Sequence, residues 1–113
     1  MKFINKHKSP NFNKRTRRSQ IQYIILHYTA MHNYGEAIKH LCAKKNRVSA
    51  HFLISKSGYI YNLVDIKERA WHAGESYWKG LRDLNSKSVG IEIDNSGHHN
   101  NFENYNNKQI KSL

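Results

Sequence analysis

Three side chains that could carry out chemistry stand far apart in this 113-residue sequence: His27, His72 and Glu92. A neutral imidazole can bind zinc, and a glutamate beside the metal can act as a general base toward bound water. Each residue also has an ordinary structural explanation. His27 could be a core histidine with satisfied ring nitrogens, His72 could pack beside Trp71 in a loop, and Glu92 could be a surface carboxylate.

The remaining histidines that we considered have simpler explanations. His51, in the segment VSAHF, is expected to be a structural histidine whose ring is hydrogen-bonded inside the protein. His40 is expected at the edge or surface of a helix. The pair His98 and His99 lies in a polar segment and is expected on the surface of a loop.

Two strands are predicted to carry His27 and Glu92. Apolar residues fill IQYIILHY, residues 21–28, and side chains alternate between the two faces of a strand, which places His27 at the end of one face. In SVGIEI, residues 88–93, Gly90 and Glu92 share a face. A glycine next to a glutamate on one face suggests that space is kept open in front of the carboxylate.

The other elements follow from capping, turn and periodicity signals. Asn33 and Glu36 resemble a capping box and predict a helix over about 34–45. A hairpin is predicted over 48–55 and 59–64, with the turn at Lys56-Ser57-Gly58. Residues 65–87 are expected to be irregular, and NKQIKSL begins a late helix. These elements predict an α/β fold, a single mixed β-sheet with flanking helices.

The charge of the chain is strongly positive, with 19 Lys and Arg residues against 8 Asp and Glu. Residues 1–20 contain seven of the basic residues and no acidic one, and we interpret them as a basic N-terminal arm. The arm could be a solvated segment, or it could attract a polyanion such as nucleic acid or an anionic cell-wall polymer. No nucleic-acid-binding motif accompanies the charge, so no specific nucleic-acid partner is predicted.

Other global features limit the class of protein. Cys42 is the only cysteine, which excludes an internal disulfide. No apolar run approaches the roughly 20 residues of a transmembrane helix. The N-terminus has no apolar segment typical of a secretory signal, so we expect a cytoplasmic protein.

Several segments, in order, resemble the zinc-dependent N-acetylmuramoyl-L-alanine amidases of the amidase-2 family. These segments are SPNFNKR, IILHYTAM, VSAHFLIS, RAWHAGESYWKG and DLNSKSVGIEIDNSGH, and the resemblance runs from about Ser9 to Leu113. The family is related in fold to peptidoglycan recognition proteins and phage amidase-lysozymes. HYTAM, VSAHF, WHAG and GIE in this order form a specific pattern.

The resemblance implies a role for each candidate residue. His27 matches the first zinc ligand of the family, and Glu92 matches its catalytic glutamate, which takes a proton from zinc-bound water. Trp71 and His72 match a loop that lines the substrate groove. Ala50 stands where the phage relatives carry a catalytic tyrosine. The implied reaction is hydrolysis of the amide between the muramoyl lactyl group and L-alanine in peptidoglycan or a muropeptide, with Zn²⁺ as the cofactor.

The sequence departs from the family pattern in one respect. A second histidine and an aspartate complete the family's zinc site, within a later segment resembling HSDVAP…RKxDPG that this sequence does not contain. We therefore expect residues 21–113 to be the N-terminal two-thirds of an amidase-2 domain lacking the C-terminal part. We expect this chain to hydrolyse muropeptides poorly or not at all. A non-catalytic module that binds peptidoglycan fragments is the alternative hypothesis.

Overall fold

The computed structural model describes residues 2–16, 20–74, 83–97 and 104–113. Its elements, in chain order, are β1 (Lys2–Ile4), β2 (Phe12–Lys14), β3 (Tyr23–Tyr28), α1 (Tyr34–Cys42), a 3₁₀ turn (Lys44–Asn46), β4 (Phe52–Ile54), β5 (Tyr59–Asn62), β6 (Glu68–Ala70), α2 (Leu84–Lys87), β7 (Ser88–Ile93) and α3 (Asn107–Ser112). The predicted α/β class with a mixed sheet and flanking helices is confirmed.

The main sheet has five strands in the order β1-β5-β4-β7-β3. Strands β4 and β5 form the predicted antiparallel hairpin, while β1–β5, β4–β7 and β7–β3 are parallel pairs. Strands β2 and β6 form a separate antiparallel pair. The parallel pairing of β7 with β3 brings residues near 27 and 92 together, although 65 positions separate them in the sequence.

Helix α1 covers the face of the sheet that also carries Glu92. The Asn33 side chain accepts a hydrogen bond from the Glu36 N–H, so the predicted N-terminal cap is present. The apolar stripe of the helix packs on β4, β5 and the residue after β5. The buried cluster consists of Ala37, Ile38, Leu41, Leu53, Tyr61 and Leu63. Because Leu53 is the register neighbour of Glu92, this core lies directly beside the candidate site.

The interpretation of residues 1–20 as a solvated arm is wrong for much of that segment. Strand β1 pairs with β5, and Ser9 and Asn11 are only 3% and 1% exposed. The Asn11 side-chain amide donates to the carbonyl oxygens of Ala43 and Val48. The lysines of the segment stay exposed, so its charge faces solvent while its backbone and small polar residues join the fold.

Residues 65–87 are also more ordered than expected where they are described. Strand β6 pairs with β2 through three register positions, and α2 immediately precedes β7. The predictions for His98 and His99 concern residues outside those that the structure describes. Among the helices that are described, none has the length and apolar character needed to span a membrane.

Candidate active site

His27 and Glu92 are direct neighbours on one face of the sheet. They are register partners in the parallel pair β3–β7. Side chains at paired positions of adjacent parallel strands point to the same side, so these two residues share one face of the sheet. Gly90 and Ser88 follow on the same face of β7, two and four residues before Glu92.

The imidazole of His72 lies directly over Gly90. A Cβ atom at position 90 would lie 2.4 Å from Cγ of His72, which is far inside van der Waals contact. The expectation that Gly90 keeps space open is corrected in one respect: the histidine ring fills the space directly above Gly90, while Glu92 itself still borders a cavity. The loop is held there by Asn85, whose side-chain oxygen accepts from the N–H groups of His72 and Ala73 at 3.0 and 2.9 Å.

Both ring nitrogens of His72 have polar partners. Its Nδ1 lies 3.0 Å from Nε2 of His27, and its Nε2 lies 3.1 Å from Oγ of Ser88. The planes of the two imidazoles are inclined at 73°. A continuous series of contacts thus runs from β7 through the loop residue to the end of β3.

A small cavity of about 180 Å³ opens beside these groups. Its lining comes from the ends of β3 and β7, from α1, and from the segments around 48 and 71. The lining residues are Thr29, Met31, His40, Leu41, Val48, Ser49, Trp71, His72 and Glu92. His27 is not among them, but it contacts His72, which does line the cavity. His40 was expected at the surface, where it does lie, but sequence reasoning missed that it also borders the cavity.

The carboxyl group of Glu92 is poorly solvated. Its Oε2 is buried and has no hydrogen-bond partner among the described residues. Burial raises the pKa of Glu92 from its ordinary value of 4.5 to about 7. At neutral pH this carboxyl group is therefore poised between its acid and its base, as a group that exchanges protons must be.

The pKa values of His27 and His72 are shifted downward, whereas that of Glu92 is shifted upward. Burial lowers the pKa of His27, and it lowers the pKa of His72 to about 3 with help from the positive charges nearby. Neutral imidazoles are the form that accepts a proton or binds a metal ion.

Trp71 is fixed on the rim of the cavity by three hydrogen bonds. Its N–H donates to Oγ of Ser49, its carbonyl accepts from the N–H of Ser49, and its indole N–H donates to the side-chain oxygen of Asn13 at 2.9 Å. Asn13 belongs to β2, so the N-terminal segment helps to orient the indole. The ring is partly exposed and borders the cavity, a position suited to contact with a ligand.

His51 has the structural role expected of it. It is fully buried, and its Nδ1 accepts from the N–H of Gly90. Its Nε2 lies 2.8 Å from the carbonyl oxygen of Glu68 and 3.1 Å from Nη2 of Arg15. A proton on Nε2 of a neutral ring serves the Glu68 contact, whereas the arginine, which can only donate, would require Nε2 as the acceptor. His51 therefore ties β6 to β7 beneath the site.

The part of the chain that the structure describes contains no group of three or more His, Cys, Asp or Glu side chains arranged to hold a metal ion. A catalytic zinc site uses three protein ligands and one open position. The described residues alone therefore do not fit a complete zinc site.

With this geometry in hand, comparison with known proteins identifies the class. Residues 17–113 match the Amidase_2 family, described as N-acetylmuramoyl-L-alanine amidase. The chain belongs to this family, and the resemblance noted from its motifs is confirmed. The family is generally zinc-dependent.

Individual relatives cover much of this chain but are longer than it. The amidase AmiD of Escherichia coli is 38% identical across 69% of this chain and 30% of its own length. The 1,6-anhydro-N-acetylmuramyl-L-alanine amidase AmpD of Haemophilus influenzae is 31% identical across 78% of this chain and 57% of its own length. The chain thus spans between about a third and somewhat over half of these relatives.

Solved structures agree with the fold. The complex of E. coli AmiD with anhydro-N-acetylmuramic acid-L-Ala-D-γ-Glu-L-Lys matches with a TM-score of 0.74 at 31% identity, covering 88% of this chain and 43% of that one. AmpDh3 of Pseudomonas aeruginosa in complex with an anhydromuramic pentapeptide matches with a TM-score of 0.73 at 31% identity, covering 92% and 46%.

Proposed function

We propose that this chain carries the general base, Glu92, of the active site of an N-acetylmuramoyl-L-alanine amidase that acts on muropeptides. The observation that carries the proposal is the buried Glu92 carboxyl, which has an unpartnered oxygen and borders a cavity next to His72. Burying such a group costs free energy, and perturbed carboxyl groups in clefts are typical of functional sites. Family membership and the muropeptide complexes of two relatives support the choice of substrate.

In the proposed reaction, Glu92 is the general base. It takes a proton from the water that attacks the carbonyl carbon between the lactyl group and L-alanine. As the new C–O bond forms and the C–N bond breaks, the proton passes to the nitrogen of the leaving L-alanyl peptide. A pKa near 7 suits both transfers, because the group must accept a proton and then release it.

His27 is proposed as one zinc ligand, on the strength of its match to the family's first ligand and its place beside Glu92. The described residues do not complete a zinc site, so no step of the reaction is derived through the metal. Trp71 and His72 are proposed to contact the muropeptide along the rim of the cavity.

The test is incubation of the purified chain, with and without added Zn²⁺, with an anhydro-muropeptide, followed by mass spectrometry of the released peptide. Because the described residues do not complete a zinc site, we expect release of the L-alanyl peptide to be slow, and we expect Glu92→Gln to lower it by at least about 100-fold, the usual contribution of a general base. Glu36→Gln is the matched control, because Glu36 is an exposed carboxylate in the first turn of α1.

Two results would contradict the proposal. Equal release by the Glu92→Gln variant and the unchanged chain would remove Glu92 as the base. Binding of the muropeptide by calorimetry with no release under any condition would instead favour the non-catalytic binding module.

A further inference from the structure

We infer that Ser88 and His72 hold His27 in a single tautomer, with the ring proton on Nε2 and the lone pair on Nδ1. The inference follows from counting the hydrogens along the contacts that join these three side chains. Only the role of His27 as a zinc ligand rests on the proposed function; the tautomer of its ring does not.

The Ser88 side chain is completely buried. Its Oγ lies 2.7 Å from the carbonyl oxygen of Leu84. A carbonyl oxygen can only accept, so the single hydroxyl hydrogen of Ser88 is donated to Leu84. The second partner of Oγ is Nε2 of His72, at 3.1 Å. In this contact the hydroxyl oxygen can only accept, because its one hydrogen is already donated to Leu84.

The next step is His72, whose Nε2 must carry the hydrogen that Ser88 accepts. A neutral imidazole has one N–H, so Nδ1 of His72 is left as an acceptor. The ring of His72 is half-buried against Gly90 and lies close to two arginines and two other histidines, and positively charged neighbours of this kind favour its neutral form.

The last step is His27. Its Nε2 lies 3.0 Å from the accepting Nδ1 of His72, so Nε2 of His27 must be the donor. The unprotonated nitrogen of His27 is then Nδ1. This is the atom that can bind a divalent cation or accept a proton, and a defined second partner for the ring is the usual way in which proteins orient a histidine that binds a metal.

Ser88 and His72 are thus positioning residues, which act on the site through His27. Gly90 belongs to the same device, because any side chain at this position would push the His72 ring out of line. In this arrangement the histidine of the WHAG motif faces the neighbouring histidine as well as the cavity.

The test is nuclear magnetic resonance of the chain with ¹⁵N-labelled histidine rings at neutral pH and without metal. Correlations between ring nitrogens and ring carbon-bound protons distinguish the two tautomers directly. We expect both His27 and His72 to carry the proton on Nε2. A proton on Nδ1 of His27 would overturn the inference, whatever the result of the hydrolysis assay.

Variants separate positioning from simple packing. His72→Ala removes the acceptor, and His27 is then expected to show a mixture of tautomers. His72→Asn places an amide oxygen near the position of the former Nδ1, and it is expected to restore the Nε2–H form of His27. Ser57→Ala, which removes a hydroxyl in the β4–β5 turn, is the control and should leave both rings unchanged. An unchanged His27 tautomer in a folded His72→Ala variant would contradict the inference.

Since the tautomers are measured on the unliganded chain, this experiment and the hydrolysis assay fail independently. Loss of hydrolysis with the expected tautomers would refute the proposed activity alone. Hydrolysis with His27 protonated on Nδ1 would refute the positioning role alone.

Discussion

Replacing the Glu92 carboxyl with an amide is expected to remove a loss of stability that the unchanged chain undergoes as the pH rises to neutral and alkaline values. Burial raises the pKa of Glu92 from 4.5 in the unfolded chain to about 7 in the folded one. Between these values the folded state keeps a proton that the unfolded state has released. The free energy of unfolding therefore falls as the pH rises from about 4.5 to about 7, and it levels off above that range.

The magnitude follows from the size of the pKa difference. A difference of about 2.5 pH units, at about 1.4 kcal/mol for each, corresponds to about 3 kcal/mol of lost stability. Because Glu92 is partly rather than completely buried, this figure is an upper value. Glu92→Gln removes the ionisation but leaves a polar group in the same place, at a cost that does not depend on pH.

The assay is urea unfolding of the unchanged chain and of Glu92→Gln at pH 4 and pH 8, followed by circular dichroism. Subtracting the two stability differences cancels the constant cost of the amide. We expect the variant to gain up to about 3 kcal/mol relative to the unchanged chain between pH 4 and pH 8. Glu36→Gln, on the exposed first turn of α1, should change by less than about 1 kcal/mol.

The same stability difference at both pH values would refute the reasoning. It would mean that Glu92 ionises as easily in the folded chain as in the unfolded one, and that water or a cation reaches its carboxylate. The cavity would then be well solvated, and the argument that burial prepares Glu92 as a base would fail. The expected result, in contrast, would show that the fold sacrifices stability at this position, as functional groups often require.

Three further outcomes are expected from the contacts around the site. Gly90→Ala should destabilise the fold by about 1–3 kcal/mol in urea unfolding and displace the ring of His72, since the new methyl would overlap it; Gly35→Ala, which meets one side-chain oxygen at 3.2 Å, is the control. Because burial lowers the pKa of His72 to about 3, the unfolded chain binds a proton below pH 6.5 that the folded ring does not, so stability falls with falling pH. His72→Asn should make this fall shallower by at most about 1.4 kcal/mol for each pH unit. Arg15→Ala should cost about 3 kcal/mol, because its guanidinium donates to three backbone carbonyls around α2, whereas exposed Lys14→Ala should be nearly neutral. Equal stability of Gly90→Ala and Gly35→Ala, or of Arg15→Ala and Lys14→Ala, would contradict the role given to the contact in question. The same pH dependence in His72→Asn and the unchanged chain would contradict the role given to the His72 ring.

The central strands and the first helix could be predicted because local patterns determine them. Strand β7 occupies the predicted residues 88–93, and β3 begins two residues later than predicted and ends at Tyr28 as predicted. Helix α1 begins at Tyr34 as expected and ends at Cys42, after which a 3₁₀ turn continues to Asn46. For the two strands the alternation of apolar residues carries the information, and for α1 the helical periodicity and the capping side chain of Asn33 carry it.

The elements that sequence reasoning missed depend on distant partners. Strands β1, β2 and β6 have three residues each, and none is long enough to show a period of its own. Their pairing relies on contacts across more than 50 residues, such as Phe12 with Ala70 and Phe3 with Ile60. A basic composition predicts exposure of the lysines correctly but carries no information on the backbone between them.

At the site, too, the contact that could not be predicted joins residues far apart in the sequence. Gly90 and Glu92 could be placed on one face from the sequence, but the occupant of the space above Gly90 could not, because His72 enters from a loop outside the strand. With a pKa of about 3, His72 is a neutral ring at neutral pH and cannot act as a general acid, and the lowered pKa of His27 makes its cationic form scarce as well. The proton that Glu92 accepts is therefore expected to come from water or a bound ligand and not from either of these two rings. This consequence suits a general base acting on water, and it follows from the burial of all three groups together.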